Sequence, residues 1–368
     1  MTRRRLPAFG APALTAPLVL TALLAFTALS PESTAAQSSP PPCTQATSEC
    51  TGWVAVGEGR SLVYRNFPLD TRNEAITHAL VLIHGAGRNA DDYYRTALAA
   101  AFLADKLETA LVISPRIASS DGECDDELAA GEVSYDCRTW RSGGASPSHA
   151  DVTSFDFVDA ILRQVARTDL FPNLRAIVVT GHSAGGQVTN RYAMSNGLHD
   201  VLGVPVSYVV SNPSSYAWPT DERPTQAAWP ASANAPGFIL DVDEDDPLFR
   251  PGAEGRGCTG YNQWAYGFEN RTGYTASSTD EQLSSQLASR PTTYLLSQVD
   301  ILPLSGFDSS CSAMMQGPTR QARGQAYARY VNEHLGGNHE VIVVTGCAHN
   351  NRCVYTSDEG LRVLFPDG

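Results

Sequence analysis

The chain has 368 residues, enough for one large domain with an insertion or for two domains. Its 42% hydrophobic content supplies a core without help from metals or disulfides. The formal net charge of −13 leaves no basic surface for phosphates, so nucleic acids and anionic membranes are excluded as expected partners.

Arg3-Arg4-Arg5 precede an apolar Ala/Leu-rich stretch from about Ala11 to Leu29, and Ser33-Thr34-Ala35-Ala36 follow with small side chains. That order reads as an export signal over residues 1–36. Pro12 and Pro17 interrupt the run and it is short for a membrane span, so no anchor is expected after cleavage. Thr2 to Leu6 also resembles a twin-arginine signal, which leaves the export route open. Residues 37–51 read as a leader, rich in Ser, Pro and Thr at its start.

The eight cysteines agree with a secreted or periplasmic protein: all follow the expected cleavage point, and their number is even. Eight cysteines allow about 105 pairings. Local spacing suggests Cys43–Cys50, Cys124–Cys137 and Cys347–Cys353, which leaves Cys258 with Cys311. Zinc is the alternative use of cysteine, but the chain has no CxxC pair, so no metal is expected.

Downstream, short strands are expected at Trp53 to Val56 and Leu62 to Phe67 around a Gly57-Glu58-Gly59 turn. His78 to His84 is a continuous apolar run, as in a strand buried on both faces of a parallel sheet. A helix from Asp92 to Leu107, with Asp91 or Asp92 as its cap, and a buried strand at Ala110 to Ser114 come next. An acidic loop carrying Cys124 and Cys137 leads to an amphipathic helix over Ser154 to Arg167.

Ile177 to Val179 then drives into Gly181-His182-Ser183-Ala184-Gly185, followed by helical sequence from Gln187 to Ser195. This is G-x-S-x-G between a strand and a helix. A chain turning so sharply strains the hinge residue, and the flanking glycines keep side chains out of its way. The serine then stands exposed at a helix N-terminus, placed to attack a carbonyl.

Pro205 to Val210 is another strand. Residues 217–290 lose the alternation and are rich in Pro, Gly, Trp and Tyr, with one weak helix at Asp280 to Ala288; they read as a lid inserted in a domain spanning 52–368. Thr292 to Asp300 restores the sheet, a helix from Pro318 to Leu335 follows, and Glu340 to Val344 is the last strand, before a closing helix. Strands alternating with helices predict an α/β fold with a doubly wound, mostly parallel sheet.

A serine nucleophile needs a base, and the base an orienting carboxylate. Of eight histidines, His349 alone sits at the final strand-to-loop junction, in the loop from Cys347 to Cys353. Two segments compete for the acid. Asp300 ends a sheet strand beside the histidine loop, whereas Asp241 and Asp243 belong to an apolar run, Phe238 to Asp246, inside the insertion. Sheet spacing favours Asp300, and the Asp241 cluster lacks the Gly and Glu positions of a calcium loop. The oxyanion donors are expected at the N–H of Ala184 and of Ala86, with Gly87 as a second candidate after His84-Gly85. His84, Gly87, Trp264 and Tyr266 are candidates to line a substrate pocket, although the aromatic residues of the insertion equally suit a small core.

These residues in this order, His84-Gly85, Gly181 to Gly185, Asp300 and His349, resemble the α/β-hydrolase fold superfamily of serine hydrolases. Tyr261 to Gly267, Asp308 to Cys311, Gln316 to Arg320, Gly346 to His349 and Tyr355 to Ser357 resemble, more narrowly, a group of bacterial and fungal α/β-hydrolases described mainly as predicted hydrolases. The resemblance runs from about Gly52 to the C-terminus. It implies Ser183 as nucleophile, His349 as base and Asp300 as acid. Ser297 departs from the superfamily, which usually has Gly three residues before the acid. The expectation is an exported enzyme that cleaves carboxylic esters, small or polymeric, without a cofactor. Amide or peptide hydrolysis by the same triad and a non-catalytic binding protein on the same fold are the alternatives.

Overall fold

The computed structural model describes residues 10, 41–237, 246–252, 257–304 and 306–366. Apart from residue 10, the expected export signal lies outside the described residues, as do the start of the leader and Asp241 and Asp243.

In chain order the strands are β1 (Thr51–Val56), β2 (Gly59–Arg65), β3 (His78–Ile83), β4 (Ala110–Pro115), β5 (Ala176–His182), β6 (Val206–Ser211), β7 (Glu222–Pro224), β8 (Phe249–Pro251), β9 (Thr292–Ser297) and β10 (Glu340–Val344). The α-helices are α1 (Ala90–Leu103), α2 (Ser154–Val165), α3 (Ala184–Ser195), α4 (Asp280–Ser289), α5 (Cys311–Met314), α6 (Arg320–His334), α7 (Asn351–Tyr355) and α8 (Asp358–Leu364). Eight strands form one sheet in the order β1-β2-β4-β3-β5-β6-β9-β10. β1–β2 and β2–β4 are antiparallel and every other pair is parallel.

The apolar runs are continuous because the sheet is covered on both faces. In β3, Ala79, Val81 and Ile83 face a core shared with α2 and α3, while Leu80 and Leu82 face one shared with α1 and α7. β5 divides the same way, with Ile177 and Val179 on one side and Val178 on the other. Helix α2 starts as its sequence dictates: Thr153 and Asp156 form a reciprocal capping box. Helix α1 runs earlier than expected. Its cap is Asn89, so Asp91 and Asp92 lie in the first turn, where they meet the positive end of the helix dipole. The helix ends at Leu103, and Asp105 turns left-handed at φ 55 just beyond.

All four suggested cysteine pairs are joined, Cys43–Cys50, Cys124–Cys137, Cys258–Cys311 and Cys347–Cys353, with Cα separations of 5.5 to 5.8 Å. Among the described residues, no helix is long and apolar enough to cross a membrane.

The described residues between β6 and β9 hold little regular structure beyond the β7–β8 pair and α4. Their aromatic rings are not a private core. Trp218, Trp229 and Phe249 share a cluster with Tyr294 of β9 and Tyr327 and Tyr330 of α6. Irregular backbone leaves carbonyls without ladder partners, and buried arginines take them up. Arg191 donates to the carbonyls of Arg141 and Ala265, and Arg223 to those of Thr220, Glu222 and Tyr261.

Candidate active site

The central strand β5 delivers Ser183 to the carboxyl edge of the sheet, where open α/β sheets bind ligands. Ser183 has φ 60 and ψ −117, a strained conformation for a residue with a Cβ. The neighbouring glycines make that turn possible. A Cβ on Gly185 would stand 2.3 Å from the Ile83 carbonyl oxygen, and one on Gly181 would stand 2.4 Å from the Gly185 backbone. The helix begins at Ala184, directly after the serine rather than three residues on. The Ala184 N–H therefore belongs to the first turn, whose N–H groups have no partner within the helix.

β9 and β10 are adjacent, paired from Glu340 with Thr293 to Val344 with Ser297. Their ladder continues past both ends: Gln298 N–H donates to Val344 O at 2.9 Å and Val299 N–H to Cys347 O at 3.0 Å. Asp300 and His349 thus leave neighbouring strands side by side. The Cys347–Cys353 disulfide closes the histidine loop, and Asn350 caps α7 immediately after it.

His349 Nδ1 lies 2.7 Å from Asp300 Oδ2, and its Nε2 lies 3.0 Å from Ser183 Oγ. A carboxylate can only accept, so Nδ1 carries the proton and Nε2 is left to accept from the serine hydroxyl. Asp300 is 3% exposed, and its second oxygen accepts from the wholly buried Arg320, Nη1 to Oδ1 at 3.0 Å. The residues near Ser297 are joined too: Asn212 Nδ2 donates to Ser297 Oγ and Ser297 N–H to Asn212 Oδ1, both at 2.8 Å. That exchange ties the end of β6 to the end of β9, where a glycine was expected.

His182, the variable residue of the motif, packs its ring 4.5 Å from that of His349, tilted by 40°. Burial first, then the nearby His349 and Arg320, hold its pKa well below the ordinary histidine value. It therefore meets His349 as a neutral ring.

The remaining sequence candidates are placed as follows. Ala86 and Gly87 are exposed in the turn between β3 and α1. His84 is 0% exposed, with Nδ1 2.9 Å from the Gly85 carbonyl and Nε2 accepting from the Ile117 N–H at 3.1 Å. With both ring nitrogens occupied and no surface open, it braces the end of β3 instead of facing a pocket. Trp264 is half-buried and donates to Ser142 O at 3.0 Å, and the Tyr266 hydroxyl donates to Asp308 Oδ2 at 2.7 Å. Trp264 and Tyr266 are tied to neighbouring loops, not to the serine. Among the described residues, no group of three or more His, Cys, Asp or Glu is placed to hold a metal ion.

Arg320 and His182 were not assigned a part by sequence reasoning. A basic residue opening a helix gives no signal of its own, because the pairing with Asp300 is made only when α6 docks. The His182–His349 contact likewise joins residues 167 positions apart.

Comparison with known proteins agrees with this frame. Among curated proteins no sequence matches. Among the solved structures that share the fold are two enzymes of polymer breakdown. One is poly(aspartic acid) hydrolase-1 from Sphingomonas sp. KT-1, with a TM-score of 0.55 at 20% identity, covering 85% of this chain and 98% of the other. The second is LpqC, poly(3-hydroxybutyrate) depolymerase from Bordetella parapertussis, with a TM-score of 0.52 at 17% identity, covering 84% and 89%. The sequence model described as the alpha/beta hydrolase family matches residues 80–363, from β3 to the last helix, and the chain is a member of that family.

Proposed function

We propose that the protein is an exported serine hydrolase that cleaves carboxylic esters through an acyl-enzyme. The observation that carries this reading is the unbroken relay from Ser183 Oγ to His349 Nε2 at 3.0 Å and from His349 Nδ1 to Asp300 Oδ2 at 2.7 Å. Ser183 Oγ attacks the ester carbonyl carbon while its proton passes to His349 Nε2. The carbonyl oxygen becomes an oxyanion, held by the N–H groups of Ala184 and Ala86. Collapse expels the alcohol, which takes the proton from His349. Water then gives a proton to His349 and attacks the acyl carbon, and the acid leaves with Ser183 restored. Asp300 holds the imidazole in the required tautomer and stabilises it once protonated.

Export is supported by the basic and apolar N-terminus and by four disulfides, which persist in oxidising compartments. Within the lid that the sequence suggests, 217–290, Trp218, Trp229, Phe249 and Phe268 pack with side chains of α6 and β9, and we assign the segment to shaping the approach to Ser183.

The test is a screen of the mature protein on p-nitrophenyl esters of graded chain length, a polyester and peptide anilides, beside Ser183→Ala. Ester turnover abolished in Ser183→Ala is the expected result. Faster cleavage of anilides than of esters would replace the ester assignment by an amide one. Failure of the wild type to react with a fluorophosphonate would favour a non-catalytic binding protein.

A further inference from the structure

Arg320 opens α6, and its guanidinium is wholly buried against the carboxylate of Asp300. Nη1 donates to Asp300 Oδ1 at 3.0 Å, and Nη1 and Nη2 both donate to the Leu304 carbonyl at 3.1 Å. Nε donates to Ser214 Oγ at 2.9 Å. The guanidinium therefore joins three pieces of chain: the loop after β6, the loop after β9, and the start of α6.

Two elementary rules disfavour a cation in this place. A helix N-terminus carries positive partial charge, and burying a guanidinium removes its hydration. Burial does draw Arg320 below the ordinary arginine pKa, with the Asp300 charge opposing. Nor does the helix need it as a cap, because the Thr319 side chain already accepts from the Ala322 N–H. A side chain that breaks both rules is retained for what it holds. What it holds is one oxygen of the carboxylate whose other oxygen faces His349. Carboxylate rotation about its bond to Cβ would otherwise be limited by the single His349 contact among its side-chain partners.

We infer that Arg320 is a positioning residue for hydrolysis, locking the Asp300 carboxylate in the rotation that presents Oδ2 to His349 Nδ1. This rests on the serine-hydrolase reading above. Arg320 touches neither substrate nor serine. It acts through Asp300, and its fork lets it fix the carboxylate and two loops at once, which a single ammonium cannot do.

The test uses the full mature protein and the rate at which a fluorophosphonate labels Ser183, a readout that needs no knowledge of the substrate. Arg320→Ala should remain folded by thermal unfolding and label about 10²-fold more slowly, the scale expected when a catalytic group is misplaced by about an ångström. Guanidinium ion at tens of millimolar, far below denaturing strength, should restore much of that loss by entering the vacated site. In an Asp300→Asn background the same substitution should change labelling little, because residues acting as one unit are not additive. Arg320→Lys should lose about tenfold, and it carries the test if the alanine variant does not fold. Labelling of folded Arg320→Ala, or of Arg320→Lys, within about threefold of wild type overturns the inference. An equal loss with and without Asp300 also overturns it, since that marks a general structural role. A wild type that does not label at all sinks the serine-hydrolase reading itself, a different result from any of these.

Discussion

His84 makes the protein sensitive to acid in a way the geometry quantifies. Its Nε2 accepts from the Ile117 N–H while its Nδ1 faces the Gly85 carbonyl, so only the neutral imidazole fits. Protonating Nε2 would set one N–H against another inside a site that water does not reach. Burial accordingly pushes His84 down to about 4 from the ordinary 6.5, the Gly85 hydrogen bond opposing only in part. The folded value is the lower one, so the unfolded chain takes up the proton first. Stability is complete above about pH 6.5 and is lost as pH falls toward 4. For values of about 4 and 6.5, going from pH 7 to pH 4 removes about 3 kcal/mol through this one side chain. His339, also drawn down to about 4 by burial, steepens the wild-type profile, so a difference measurement is required. His84→Gln keeps an acceptor near the Ile117 N–H and cannot titrate. Urea unfolding at pH 7 and pH 4 should show the variant losing about 3 kcal/mol less than wild type over that interval. Equal losses in the two proteins would refute the argument that His84 is locked neutral.

Four further outcomes are expected. Ser183→Ala and His349→Ala should abolish ester turnover and leave the unfolding midpoint nearly unchanged. Asp300→Asn should lower kcat on the order of 10⁴-fold by favouring the wrong tautomer of His349, whereas a full rate there, with loss in Asp241→Asn or Asp243→Asn, would move the acid to the other segment. Gly185→Ala places a Cβ 2.3 Å from the Ile83 carbonyl oxygen, where the first turn of α3 presses on the end of β3, and should destabilise by about 4 kcal/mol or more in urea unfolding. Replacing Cys347 and Cys353 by Ser opens a loop with a sequence separation of 6 and should lower stability by about 2 kcal/mol, with a larger fractional fall in kcat because His349 lies inside that loop.

Periodicity and local spacing by themselves determine much of this protein. The apolar runs of β3, β4 and β5 could only be strands covered on both faces, and glycines flanking Ser183 announced a turn too tight for side chains. The cysteine pairs lay close enough along the chain for loop closure to choose three of them, and the fourth followed. These signals are local, set by side-chain alternation, turn sterics and chain length. Others were not legible, because they are made only when distant segments dock. The cap of α1 at Asn89 was missed because Asn89, Asp91 and Asp92 are all acceptable caps within four residues, and packing chose among them. Trp218, Trp229 and Phe249 could have formed a core of their own, and only docking against α6 and β9 joined them to the main body. His84 read as a pocket residue from its place at a strand end, but the Ile117 N–H and the Trp140 ring close over it. The pairing of Arg320 with Asp300 had no sequence signature at all. A buried ion pair is decided by where two backbones bring their side chains in three dimensions, and no periodicity of either segment encodes it.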